Sequence, residues 1–129
     1  QIPTEPIKTR GGWETISGTI FTTAPELLLK IRSAFRDGSE QSEEQLIDYY
    51  SGCELLILDD LGSEKTSEFA VTTLYIILDR RIRECLKTII TTNLSQQEID
   101  ATFGARIASR LSAMENIKIN MPDYRKKRG

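Results

Sequence analysis

The sequence predicts an α/β fold with a largely parallel sheet flanked by helices, and three observations carry that prediction. "LLILDD" (55–60) sets four bulky aliphatics in a row before two carboxylates, as expected of a strand buried on both faces. "KTIITTN" (87–93) is a second run of β-branched residues and ends on an amide side chain. Between them Ala70, Val71, Leu74, Ile77, Leu78 and Ile82 form one apolar stripe at helical spacing, over about 67–85. Strand, helix and strand in alternation is the pattern of a parallel sheet.

The remaining elements follow in chain order. "QIPTEPIKTRGG" has two prolines, two glycines and no periodicity, so residues 1–17 are expected to be a leader or loop. "GTIFTT" (18–23) predicts a short strand. Thr23 and Glu26 have capping-box spacing with Pro25 between them, and Leu27, Leu28, Ile31, Ala34 and Phe35 recur behind them on one helical stripe. That stripe places Phe35 in the core. "RDGSEQS" breaks the helix, and Ser42 with Gln45 starts another carrying Leu46, Ile47 and Tyr50. Ser95 and Glu98 cap a further short helix, 103–114 predicts one more, and "NIKIN" (116–120) alternates as a strand does.

At 129 residues the chain has room for one domain. No apolar run approaches the roughly 20 residues that a membrane-spanning helix needs, so no membrane association is expected. Cys53 and Cys85 are isolated and there is no histidine, which argues for a reducing, cytoplasmic setting and against a zinc site. The same absence excludes Ser-His and Cys-His catalysis. Net charge is −2, but without the four basic residues at 125–128 the body carries 13 basic against 19 acidic residues, a net of −6. Nucleic-acid contact must therefore be local, and the basic tail by itself reads equally as a solvated terminus.

Polar residues gather at the strand ends. If the strands at 55–58 and 88–92 are parallel neighbours, Asp59, Asp60 and Asn93 share one sheet edge, where ligands of α/β proteins bind. Two carboxylates beside an amide suit Mg²⁺ and an attacking water next to a phosphate; equally, two acids can be a plain exit of the chain into water. Arg106 and Arg110 lie four apart and share a helix face, either a solvated face or a pair of cations aimed at phosphates.

"LLILDDLGSEKTSEFAVTTLYIILDRR", "IITTNLS", "GARIASRL" and "DYRKKR" occur in the order seen in the DnaC/DnaI-type bacterial helicase loaders, and from about residue 18 to 128 the chain resembles that family. These loaders are AAA+ ATPases of the P-loop NTPase class, with the transposition helpers of the IstB type as close relatives. The resemblance implies ATP and Mg²⁺ as cofactors. It makes Asp59 the Walker B residue that holds the metal through water, and Asp60 the acid that polarises the attacking water, where many relatives have Glu. Asn93 matches sensor 1, Arg110 the arginine finger that completes a neighbouring protomer's site, with Arg106 beside it, and Arg125 the sensor-2 arginine. Phe35, Ser67 and Phe69 fall near positions where loaders touch single-stranded DNA.

The family's phosphate loop, G-x-x-x-x-G-K-[S/T], is not in this sequence: Gly11-Gly12 is followed by Trp13. The chain, which opens on "QIPTEP" without methionine, is therefore expected to be the later, N-terminally truncated part of a AAA+ domain, inactive alone as an ATPase. The intact protein is expected to load the replicative helicase onto single-stranded DNA, with self-association of its AAA+ domains. An IstB-like transposition helper and an adaptor that has lost nucleotide binding are the alternatives.

Overall fold

A computed structural model describes residues 16–37, 42–63 and 66–114. Their order is β1 (Ile16–Thr23), α1 (Ala24–Asp37), α2 (Glu43–Gly52), β2 (Cys53–Leu61), α3 (Glu68–Arg83), β3 (Lys87–Thr92), α4 (Gln96–Phe103) and α5 (Ala105–Ala113). The three strands form one parallel sheet in the order β1-β2-β3. The expected strand at 116–120, Arg125 and the basic tail lie outside the described residues, as does most of the expected leader.

Local signals set the helix starts. Thr23 and Glu26 bond reciprocally, the Glu26 amide to the Thr23 hydroxyl at 3.1 Å and the Thr23 amide to the Glu26 carboxylate at 3.5 Å. Ser42 with Gln45, and Ser95 with Glu98, form full capping boxes. Each satisfies two backbone donors that a helix start would leave without partners. Ser67 caps α3 through the Ala70 amide. Two boundaries differ from expectation. β1 begins at Ile16, two residues before the expected strand. The last helix begins at Ala105, because Gly104 at φ 94° ends α4 and leaves Phe103 in that helix.

The core lies on one face of the sheet. Ile20 on β1 and Leu56 and Leu58 on β2 pack against Leu27 and Ile31 of α1, Leu74, Ile77 and Leu78 of α3, and Ile107 of α5. Each fully buried Leu or Ile contributes roughly 1.5–3 kcal/mol relative to exposure. Both crossovers run in the same direction across the sheet, which places α1, α2 and α3 on the same side. The opposite face carries Phe21, Ile57 and Ile89, register partners in a row over the three strands. Among the described residues that face stays open, with Phe21 61% and Ile89 49% exposed. The "LLIL" run is thus covered on one side only here, where its density predicted two.

Two side chains depart from the apolar pattern. Phe35, expected in the core, is 66% exposed. Leu27, Leu28, Ile31 and Ala34 already fill the buried stripe of α1, and Phe35 sits at its margin, rotated outwards. Arg81 is the reverse: a guanidinium with no exposure at all. It donates to the carbonyls of Tyr50 (3.0 Å), Cys53 (2.8 Å) and Lys87 (2.7 Å) and to the Thr88 hydroxyl (2.8 Å). It therefore ties the end of α2 and the starts of β2 and β3 to α3.

Candidate functional site

The β2 strand does not simply end in its two acids. Leu58 pairs with Ile90 and Leu61 with Thr92, so β2 spends one residue more than β3 between these pairs. Asp59 and Asp60 share this bulge, opposite Thr91. Asp60 takes φ 68°, a left-handed conformation that costs most side chains about 1–2 kcal/mol but that Asp tolerates. The turn breaks the strand's alternation: Leu61 returns to the core in the place that Asp60 would have taken, and Asp60 is exposed. Gly62 follows at φ 90°, its Cα so close to Leu94 that a methyl there would lie 2.5 Å from Leu94 Cδ1.

Thr91 locks the bulge to β3. Its hydroxyl accepts from the Asp60 amide at 2.9 Å and donates to Asp59 Oδ1 in a short hydrogen bond. One carboxylate oxygen of Asp59 is thereby fixed by a neighbouring strand. Thr92 continues the tie by donating to the Leu61 carbonyl at 2.7 Å, and accepts from the Leu94 amide. Asn93 follows directly and is exposed. The adjacent, parallel placing of β2 and β3 thus brings Asp59, Asp60 and Asn93 to one sheet edge. Thr91 escaped sequence analysis because a Thr in a β-branched run looks like any strand residue; only pairing identifies its partner.

The donor set is hard oxygen with no nitrogen or sulfur ligand. Among the described residues no group of three or more His, Cys, Asp or Glu gathers into a closed metal cage. An open pair of carboxylates is what Mg²⁺ accepts, since it keeps several waters and takes one or two carboxylates beside phosphate oxygens. The residues present fit that ion.

Arg106 and Arg110 lie on α5 and meet α3. Both guanidiniums stand over the Tyr75 ring, at 4.8 and 5.5 Å from its centre. Arg110 also donates to Asp79 Oδ1 at 2.6 Å and to the Tyr75 hydroxyl at 3.2 Å, and Arg83 donates to the other Asp79 oxygen at 3.0 Å. The Arg110 bond above all, with Arg83 adding to it, holds the Asp79 carboxyl below its usual range against the opposing effect of burial. None of these partners is a strand-end acid, so within one chain the arginines and the acid pair form separate clusters. Tyr75 and Asp79 were not singled out in the sequence, because i,i+4 positions on α3 say nothing about α5.

A third cluster joins α1 to the start of α3. Arg32 lies over the Phe69 ring at 4.8 Å and donates to the Ser67 hydroxyl at 3.4 Å. These line a groove of about 620 Å³ together with Leu29 and Thr66. The structure thus brings Ser67 and Phe69 together, with Phe35 one turn beyond Arg32 on α1.

Known proteins resemble this chain in sequence and in fold. The chain is 26% identical over 110 residues to the replicative helicase loader DnaC of Buchnera aphidicola (subsp. Baizongia pistaciae), covering 84% of this chain and 45% of the relative. The chain therefore spans less than half the length of that protein. A crystal structure of the DnaC helicase loader superposes with a TM-score of 0.66 at 23% identity, covering 77% of this chain and 58% of that one. DnaA from Aquifex aeolicus with AMPPCP bound superposes at 0.64 and 18% identity, over 73% and 28% of the two chains. These superpositions show that this chain shares its α/β fold with those two proteins. Residues 11–128 match the model of the IstB-like ATP-binding proteins, and the chain belongs to that family.

Proposed function

We propose that the protein to which this chain belongs is an ATP-dependent loader of the replicative helicase onto single-stranded DNA. The observation that carries the proposal is the strand-edge constellation: Asp59 and Asp60 in a bulge of β2, fixed by Thr91 of β3, with Asn93 two residues further on. Its support is the likeness to a DnaC loader over most of this chain.

Asp59 holds Mg²⁺ through water in this reading, and the ion, when bound, neutralises phosphate oxygens. The chain's own residues do the rest. Thr91 fixes the Asp59 carboxylate and so sets the direction in which its remaining lone pairs face a ligand. Asp60, turned out of the strand by its left-handed backbone, accepts a proton from the attacking water. Asn93 offers an amide donor to that water and the terminal phosphate, and Arg125 takes the sensor-2 role. Arg110, with Arg106 beside it, reaches the site of an adjoining protomer, so that hydrolysis is coupled to self-association. Phe35, Ser67 and Phe69 meet single-stranded DNA. ATP then acts as a switch of the assembly.

The test is hydrolysis by the intact protein. Asp59→Ala abolishes turnover while far-UV circular dichroism stays unchanged. Arg110→Ala also blocks turnover, but mixing these two variants restores part of it, since each supplies what the other lacks. Wild-type turnover in Asp59→Ala would sink the metal assignment, and no recovery in any mixture would sink the shared site.

A further inference from the structure

We infer that Asp79 is a positioning residue for Arg110: from α3 it sets the direction in which the Arg110 guanidinium meets the phosphates of an adjoining protomer. The inference rests on the shared-site reading above and adds to it the residue that aims the cation.

A long arginine side chain on an exposed helix face spreads over many rotamers, and only part of that population points at a partner's phosphate. Arg110 is not left to that spread. Its Nε donates to Asp79 Oδ1 at 2.6 Å and its Nη2 to the Tyr75 hydroxyl at 3.2 Å. Both contacts use one side of the planar fork, and Nη1 has no hydrogen-bond partner among the described residues. The side chain keeps 35% of its exposure. A latch that parked the cation would take up the whole fork. Here one side is bound within the chain and the other is left for an anion.

The partners are themselves held. Tyr75 and Asp79 lie four apart, on the face of α3 that meets α5. The helix is seated in the core through Leu74, Ile77 and Leu78. Asp79 Oδ2 accepts from Arg83 at 3.0 Å, so both carboxylate oxygens are bonded and the side chain is only 18% exposed. A carboxylate fixed in this way is a stop against which a flexible side chain is aimed. The pairing does not silence the cation either. Arg83, Arg106 and Arg110 gather around this one carboxylate, so these four side chains keep a positive excess that suits a phosphate. Arg106 lies on the Tyr75 ring and has no hydrogen-bond partner among the described residues, which makes Arg110 the aimed member of the pair.

The experiment is steady-state ATP turnover by the intact protein, alone and in mixtures, with each variant first checked for the wild-type far-UV circular dichroism. Asp79→Asn lowers kcat about 10- to 100-fold at an unchanged KM for ATP, the signature of a misplaced group that acts in the transition state. Tyr75→Phe keeps the ring, removes one hydrogen bond and lowers kcat about threefold. Mixed with Asp59→Ala, Asp79→Asn regains activity as Arg110→Ala does, because the missing function is again the finger. Mixed with Arg110→Ala, it gains nothing. A merely structural loss would not sort with Arg110 in this way. Wild-type or raised kcat in Asp79→Asn, with Arg110→Ala still blocked, overturns the Asp79 role and leaves the shared site standing. So does a loss that Asp59→Ala fails to repair while it repairs Arg110→Ala. Should Asp79→Asn lose the wild-type spectrum, wild-type kcat in Tyr75→Phe overturns the inference instead. If Asp59→Ala repairs neither variant, the shared-site reading falls and this inference with it.

Discussion

Arg81→Met is expected to destabilise this chain by about 3 kcal/mol. Methionine keeps much of the apolar stem and removes the guanidinium. That leaves the carbonyls of Tyr50, Cys53 and Lys87 without the donor they share, the first two in buried surroundings and the third in a part-buried one. Each buried acceptor so stranded costs about 1–3 kcal/mol. The Thr88 hydroxyl loses less, since it still donates to the Leu86 carbonyl at 3.2 Å. Against these losses stands a relief: burial disfavours the charged guanidinium and pushes its pKa down, and removing the group ends that penalty. Two buried carbonyls at the middle of the range and the part-buried Lys87 carbonyl at its low end, less about 2 kcal/mol of relieved desolvation, leave about 3 kcal/mol. With urea m-values of roughly 1–3 kcal/mol per molar, the unfolding midpoint falls by about 1–3 M. Arg81→Lys retains a charge and a single point of donation and falls between. The assay is urea unfolding of the purified chain followed by circular dichroism. A midpoint for Arg81→Met within a few tenths molar of wild type would refute the reasoning and show that desolvation cancels the hydrogen bonds. The position matters for function as well. Arg81 pins the starts of β2 and β3, and a slip of one residue there would turn every side chain of a strand to the other face, Asp59 included.

Two further outcomes follow. Gly62→Ala should lower stability by roughly 2 kcal/mol, because φ 90° is unfavourable for alanine and its methyl would meet Leu94 Cδ1 at 2.5 Å; an unchanged melting temperature would contradict the close approach. Asp79, whose carboxyl Arg110 holds below its ordinary value, binds a proton more readily unfolded than folded. Its contribution is present above the ordinary carboxylate value and is lost as pH falls through the lower folded value. Asp79→Asn should therefore be less stable than wild type at neutral pH, with the gap closing in acid; a gap that widens in acid would reverse the assignment.

Much of this fold is legible in local sequence because its signals are local. The capping boxes at Thr23, Ser42 and Ser95 need only residues three apart, and the chain forms each of them. The strand endings were equally visible: four aliphatics followed by two acids, and five β-branched residues followed by Asn93. The site was visible only as a condition, since Asp59 and Asn93 share an edge only if β2 and β3 are parallel neighbours, and that is a matter of pairing.

The sequence by itself determined the element types, their order and the acids at the strand end, because periodicity and capping are set within one or two turns of chain. Tertiary structure decided which polar residues have partners. Thr91 reaches Asp59 across 32 residues of sequence, Arg110 reaches Asp79 across 31, and Arg32 reaches Ser67 across 35. It also decided two burials that periodicity assigns by residue type alone, exposing Phe35 and enclosing Arg81. The physical reason is common to all of these. An apolar pattern reports which face of an element leaves water, but a polar side chain is buried or exposed according to whether another element brings it a hydrogen-bond partner. That partner is fixed only when the strands have found their register.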